Sequence, residues 1–262
     1  MRNVIAIAQK ELQSYFAAPT AYLVAAVFWF ITGLFFVEIL IGKQGLIQQI
    51  ALSEQTGTNI GSVDVAKEFL NAFMAILGTL SLLMIPFLSM GLYAEERKRG
   101  TLELLATSPI TNWVVALGKL LAVVLLFIFM IFPSLIYEAI AFSNANPPIA
   151  PEVTLIAHLG LILLATALFA WGMFISSLTS STIMAAILTF GGILFLWIFD
   201  LIANGFSGAI REGLKSISIL ESYKNLIQGI VNTSDLILFF SYIFLGIFLT
   251  AQSIHLLRNT KQ

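Results

Sequence analysis

Six stretches of about 20 nearly uncharged, apolar residues divide this chain, and each has the length of a membrane-spanning helix. They run roughly over 21–41, 72–92, 113–132 or slightly beyond, 154–178, 182–199 and 237–254. Their consequence for the whole is visible in the composition. Of 262 residues, 59% are hydrophobic and 10% charged, against about 25% charged in an ordinary soluble domain. Too few polar residues remain to clothe a soluble globule. The fold class expected is therefore an all-α integral membrane protein of six transmembrane helices, a single transmembrane domain over 1–262. A soluble enzyme, a nucleic-acid binder and a disordered chain are excluded. The absence of cysteine removes disulfides, thiolate metal sites and cysteine nucleophiles. The first apolar run is long enough to span and follows Lys10 and Glu11, which reads as an uncleaved anchor rather than a removable leader.

An even number of spans puts both termini on one side. With the termini inside, eight basic residues fall on the inner segments (Arg2, Lys10, Arg97, Lys98, Arg99, Lys119, Arg258, Lys261) and five outside (Lys43, Lys67, Arg211, Lys215, Lys224). The positive-inside rule thus favours cytoplasmic termini in a cytoplasmic (inner) membrane. The spans 154–178 and 182–199 are separated only by a Ser/Thr cluster, a tight hairpin at the inner face. The long segments 42–71 and 200–235 fall outside. The second has near-helical apolar spacing through Ile217, Leu220, Tyr223, Leu226 and Ile230, which predicts short helices lying at, or dipping into, the outer leaflet.

Residues 1–18 form an amphipathic pattern. Val4, Ile5, Ile7, Ala8, Leu12, Tyr15 and Phe16 share one face, and Pro19 marks the turn into the membrane. Glu11 projects toward the apolar side, where a lone carboxylate is costly. It either reaches the interface or is paired, and a link to the basic cluster after span two is one way to pair it.

The densest polar motif is the inner segment 95–110. Glu95, Glu96, Arg97, Lys98 and Arg99 are consecutive. Gly100 breaks the helix, Thr101 is placed to cap a new one, and Glu103 stands in its first turn. Leu102, Leu104 and Leu105 offer apolar contacts before Ser108-Pro109 ends it. Two turns are too short to be stable alone, so the segment lies against its own protein or docks into a partner.

Glu95-Glu96-Arg97, Gly100-Thr101-Leu102-Glu103-Leu104-Leu105 and Ser108-Pro109 resemble the loop between spans two and three of type-two ATP-binding-cassette (ABC) exporter permeases. Lys10-Glu11-Leu12, Tyr15-Phe16, Pro19 and Ala21-Tyr22 resemble the start of the same proteins, closest to the gliding-motility and copper-site-assembly branch. The resemblance implies an elbow helix at 1–18 and a cytoplasmic coupling helix within 95–110. It implies a separate ABC ATPase subunit that binds ATP and magnesium, and a second permease chain, identical or a sister. No cofactor is expected on this chain, and no catalytic residue or metal site. Membrane lipid and an extracytoplasmic accessory protein complete the expected partners; nucleic acid is not among them. The implied function is movement of a lipid-like or amphipathic substrate, the alternative being a mechanical or scaffold role on an extracytoplasmic partner.

Remaining features admit two readings each. Pro86 and Pro133 within spans are static bends or flexure points. Gly191-Gly192 permits close helix approach, between protomers or within one. Glu38, Glu138 and Asp200 lie near outer span ends, where they reach headgroups, line an exit vestibule or pair with Lys43 or Arg211. His158 and His255 read as interfacial residues, and the 22 phenylalanines as mostly lipid-facing bulk, with Trp29, Trp113, Trp171 and Trp197 as interface anchors. Gly205-Phe206-Ser207-Gly208 matches the serine motif of rhomboid-type intramembrane proteases, but His255 is expected across the bilayer, and His158, closer in depth, stands in no matching motif. The spacing Gly208…Gly213-Leu214-Lys215-Ser216 is not a P-loop, because Leu214 intervenes. Mid-span segments without ionisable groups argue against an ion-coupled carrier.

Overall fold

The structure is a computed structural model, and it describes residues 2–43, 45–56, 64–102, 110–143, 145 and 148–259. The helices described are α1 (Arg2–Ala17), α2 (Pro19–Ile41), α3 (Leu46–Thr56), α4 (Val65–Ser89), α5 (Gly91–Lys98), α6 (Asn112–Phe142), α7 (Pro151–Leu178), α8 (Thr182–Gly205), α9 (Ala209–Lys215), α10 (Ile219–Ile227) and α11 (Thr233–Asn259). Six segments are long and apolar enough to cross a membrane: Pro19–Gln49, Val65–Lys98, Asn112–Phe142, Pro151–Leu178, Thr182–Ala203 and Thr233–Leu257. The expected all-helical membrane architecture is present, with each helix running beyond the apolar stretch that announced it.

Local chemistry sets the boundaries. Pro19 and Pro151 occupy first-turn positions, where a missing N–H costs nothing, and each follows an extended alanine. Asp64, Ser181 and Ser218 cap α4, α8 and α10 by accepting from the N–H groups of Lys67, Met184 and Glu221. Within the spans, hydroxyls turn back on their own helices. Thr79, Ser81, Thr166 and Thr250 donate to the carbonyls of Ala75, Leu77, Ile162 and Gly246, the only economical arrangement where no water competes.

The centre of the bundle is α4, α6 and α7, while α2 and α8 turn most of their surface outward. Phenylalanine serves both purposes. Phe69, Phe73, Phe127 and Phe169 are fully buried, and Phe69 and Phe73 stack with centroids 5.3 Å apart; Phe30, Phe87 and Phe195 face outward. The reading of phenylalanine as lipid-facing bulk therefore covers one population only. Trp29 is also more than an interface anchor, because its indole donates to the Met130 carbonyl at 2.7 Å and ties α2 to α6.

The segment after α8 departs from a surface position. Ile219, Leu220, Tyr223, Leu226 and Ile227 of α10 are all buried. Tyr223 donates to the Met74 carbonyl of α4 at 2.6 Å, and its ring covers Gly78, where any Cβ would collide with it. Leu226 sits equally close on Gly160 of α7. α10 is thus a wedge between α4 and α7, in keeping with the dipping alternative of the sequence reading and not with a helix resting on the leaflet. The two small residues it needs are far away in the chain, so its spacing alone did not reveal its depth.

Candidate functional site

The face of the bundle that carries α1, α5 and the α7–α8 turn holds the residues singled out from the sequence. α1 packs along the first half of α6. Ile7, Leu12, Tyr15 and Phe16 pack on the core and Ala8 is buried. The crossing is possible because residue 118 is glycine: a Cβ there would lie 2.7 Å from Ile7 Cγ2 and 3.1 Å from the Val4 carbonyl oxygen. Ile5, assigned to the same face, is exposed instead.

Glu11 finds a partner that the sequence did not indicate. Its Oε1 accepts from Lys119 Nζ at 3.1 Å, and the same ammonium reaches Glu96 Oε1 at 2.9 Å. Lys119 is only 2% exposed. It therefore acts as a buried bridge between α1, α5 and α6, not as a solvated inner-face charge. Lys10 adds a looser contact to both carboxylates, at 3.3 and 3.8 Å. The Tyr93 ring lies 5.1 Å from the ammonium, a cation–π arrangement. Tyr15, beside this network, donates to the Leu88 carbonyl at 3.2 Å. Burial pushes its phenol well above the ordinary range, and the charges of Glu11 and Glu95 push the same way, so it is a fixed neutral donor.

α5 is held on its other side by the α7–α8 hairpin. Past Pro86 the helix of α4 is interrupted at Met90, whose N–H still reaches the Pro86 carbonyl. Ser176 completes the joint. Its hydroxyl donates to the Met90 carbonyl at 2.8 Å and accepts from the N–H groups of Tyr93 and Ala94 at 3.1 and 3.0 Å. Arg97 donates to the Ser177 carbonyl at 3.0 Å, while Glu95 and Arg99 form an exposed pair one turn apart. α5 then ends in a Schellman motif: Thr101 N–H bonds the Glu96 carbonyl, Gly100 N–H bonds the Arg97 carbonyl, and Gly100 takes φ +72°. The Thr101 hydroxyl also points back, donating to the Glu96 carbonyl, and Leu102 packs on the core. Glu103, Leu104, Leu105 and Pro109 lie outside the described residues.

Pro133 is carried within the continuous helix α6. Gly191 and Gly192 have open space around the Cβ position, so neither supports close packing within the protomer.

At the opposite face, Asp200 and Asp235 have internal partners. Asp200 accepts from Ser218 at 2.8 Å and from Lys224 at 2.8 Å. Burial alone would lower the Lys224 pKa, but the hydrogen bond and charge of Asp200, with the charge of Glu221, raise it overall. Asp235 accepts from Ser222, Asn225 and Asn232. Ser218 and Lys224 thus hold Asp200, a pairing that none of the three sequence readings of that residue named. Glu138 is 1% exposed and does not reach headgroups. It stands 3.7 Å from His158 Nδ1, and His158 Nε2 stands 3.3 Å from Ser134 Oγ. This serine–histidine–carboxylate sequence is not a poised nucleophile. The Ser134 hydroxyl donates to the Ile131 carbonyl at 2.6 Å, and Nδ1 lies nearer the Thr154 carbonyl, at 3.0 Å, than the carboxylate. Ser207 is exposed near the start of α9, while His255 lies in the last turns of α11, at the other face. Among the described residues no group of three or more acidic, histidine or cysteine side chains could hold a metal.

No curated protein matches the chain. The family described as "ABC-2 family transporter protein" matches residues 5–256, all six spans with α1 and the polar joint included. The chain belongs to the ABC-2 family of transporter proteins and is a multi-pass membrane component of an ABC transporter.

Proposed function

We propose that this permease couples ATP hydrolysis on a separate ABC ATPase subunit to movement of a lipid-like or amphipathic substrate, through the segment 95–110. One observation supports this reading above the others: Lys119 joins Glu11 and Glu96, so the segment leading into 103–109 is fastened to α1 and α6. Ser176 and Arg97 fasten it to the α7–α8 hairpin. A push on 101–109 is then delivered to α1, α4, α6 and α7 together rather than absorbed in a slack loop. In this reading α1 is the elbow helix, and Glu103, Leu104 and Leu105 enter a groove on the ATPase, which carries the ATP and magnesium. The termini are cytoplasmic and the membrane is the cytoplasmic one. A second permease chain completes the transporter.

The reading is tested by purifying the tagged chain in mild detergent from its native cell, as wild type, Glu103→Lys and Leu104→Asp. An ABC ATPase that accompanies the wild type and is depleted about tenfold or more from both variants is the expected result, since Leu104→Asp places a charge in an apolar contact and Glu103→Lys reverses the sign of a contact charge. Undiminished ATPase in both variants refutes the assignment of 101–109.

A further inference from the structure

Between α7, α8 and α11 lies a cavity of about 470 Å³. It exists because α8 packs on α7 but scarcely on α11, while α7 and α11 close tightly at Gly246, where a Cβ would lie 2.7 Å from the Ala170 backbone. Its walls are almost wholly apolar, with Ile193, Leu196 and Leu245 among them. Trp171, Thr189, Ser241 and Tyr242 bring polar side-chain atoms to the wall, and two of the four stand out. The Trp171 indole N–H and the Thr189 hydroxyl are buried and lack hydrogen-bond partners among the described residues.

The hydroxyls of Thr32, Thr154 and Tyr93 are also buried without partners among the described residues, but none of the three lines this cavity, whereas other indole and hydroxyl groups are satisfied. Trp29 gives its indole proton to a carbonyl. Thr79, Thr166 and Thr250 return their hydroxyls to the preceding helical turn. A donor left unsatisfied in hydrocarbon costs several kcal/mol, so two beside one cavity mark a place where an acceptor belongs.

Depth narrows the acceptor. α7 has 28 residues and α8 has 24, so at about 1.5 Å per residue each overhangs a hydrocarbon core of about 30 Å. Trp171 and Thr189 stand about two turns, roughly 10 Å, from the α7–α8 turn, which places them about 4–7 Å inside the hydrocarbon boundary on that side. The deeper wall, toward Phe195, Ser241 and Tyr242, is reached from this level by going further into the bilayer. Ser241 has already spent its hydroxyl on the Ile237 carbonyl. An occupant with an acceptor at the Trp171–Thr189 level and an apolar tail below it has the form of a membrane diacyl lipid.

We infer that this cavity is a binding site for one acyl chain of a diacyl glycerolipid from the leaflet on the side of the α7–α8 turn, its ester carbonyl accepting from Trp171 Nε1 and the Thr189 hydroxyl. The site holds a resident lipid that keeps α8 apart from α11, and it does not depend on what the transporter moves. Gly192 lines the cavity and has open space at its Cβ position, whereas Gly191 is equally open but is not part of the wall. Leucine at 192 therefore fills the cavity without a clash, and leucine at 191 is its control.

The full-length chain is reconstituted with palmitoyl-oleoyl phosphatidylcholine or its diether analogue, extracted, and weighed intact by native mass spectrometry. The wild type is expected to retain a single phosphatidylcholine per protomer, and Gly191→Leu to do the same. Gly192→Leu should lower retention about tenfold or more. Thr189→Val, which keeps the side chain's shape, should lower it about fivefold, because one hydrogen bond is lost, and the diether analogue about twentyfold, because both are lost. If Gly192→Leu fails to fold, Thr189→Val and the diether lipid still decide the question. Absence of lipid from the wild type, or equal retention in Thr189→Val and with the diether, overturns the inference. A wild type without lipid whose oligomeric state collapses in Gly192→Leu overturns it in favour of a second copy of the chain.

Discussion

Lys119→Met removes the bridge at the α1–α5–α6 junction and leaves its two carboxylates behind. Glu11 Oε1 and Glu96 Oε1 both lie close to the same ammonium, at 3.1 and 2.9 Å, so without it they face each other at roughly the 4–6 Å over which like charges act strongly. Removing one member of a buried ionic group costs about 3–5 kcal/mol. Glu11 and Glu96 keep 14% and 17% exposure, which relieves part of that, so about 2–4 kcal/mol is expected. The triple variant Lys119→Met, Glu11→Gln, Glu96→Gln removes the charges together and should recover most of the loss, because an apolar or neutral group of similar volume substitutes for a buried ionic one at little net cost. Thermal unfolding in detergent, with limited proteolysis of the α1–α2 junction near Ala18, reads both stability and detachment of α1. A single variant as stable as the wild type, or a triple variant no better than the single, would falsify the bridge as a structural element.

Other outcomes follow from neighbouring contacts. Gly118→Val drives a side chain into Ile7 and the Val4 backbone; it should cost about 1–3 kcal/mol and expose α1 to protease, whereas an unchanged cleavage pattern contradicts the crossing at 118. Ser176→Ala deprives Met90, Tyr93 and Ala94 of their shared partner and should cost about 1–3 kcal/mol. In the assembled transporter it should uncouple ATP hydrolysis from transport, raising the ATP consumed per substrate moved; unchanged stoichiometry contradicts the joint. Glu138→Met removes a buried carboxylate whose two oxygens have no hydrogen-bond partner among the described residues. Unfolding in detergent should show a gain of about 1–2 kcal/mol, and a loss would reveal a partner for that group.

What could be read from the sequence divides along physical lines. The spans were legible because hydrocarbon imposes a length and a composition that local counting detects. The outline of 1–17 and the helix break at Gly100 were legible for the same reason, since amphipathic spacing and a positive-φ glycine are local signals. Partners were not. Glu11 was recognisable as a carboxylate in need of a partner, but the basic cluster nearest to 95–99 was not its source; Lys119 of α6 is, 108 residues away. No periodicity encodes that meeting, which depends on how α1 crosses α6 at Gly118. Asp200 likewise turned to Lys224 and Ser218, which become neighbours only because α9 and α10 fold back onto the bundle. Ser176 was read as part of a polar turn, and its role as a shared partner for three backbone groups of α4 and α5 follows solely from packing. The Trp171–Thr189 cavity left no sequence signal, because a tryptophan and a threonine in apolar helices are ordinary until their polar atoms are found without partners.

The central claim is that force applied at 95–110 enters the membrane helices through the junction of α1, α5 and α6. Double electron–electron resonance between spin labels at Lys98 and Arg2, in the assembled transporter with and without ATP, tests it most directly. In the wild type the two labels should move together, their separation unchanged on ATP binding, because Lys119 holds α1 to α5. In Lys119→Met the separation should change with ATP while the ATPase stays bound. A wild-type separation that already changes with ATP would show that α5 moves independently of α1, and the junction would not be the path by which the two halves of the machine are joined.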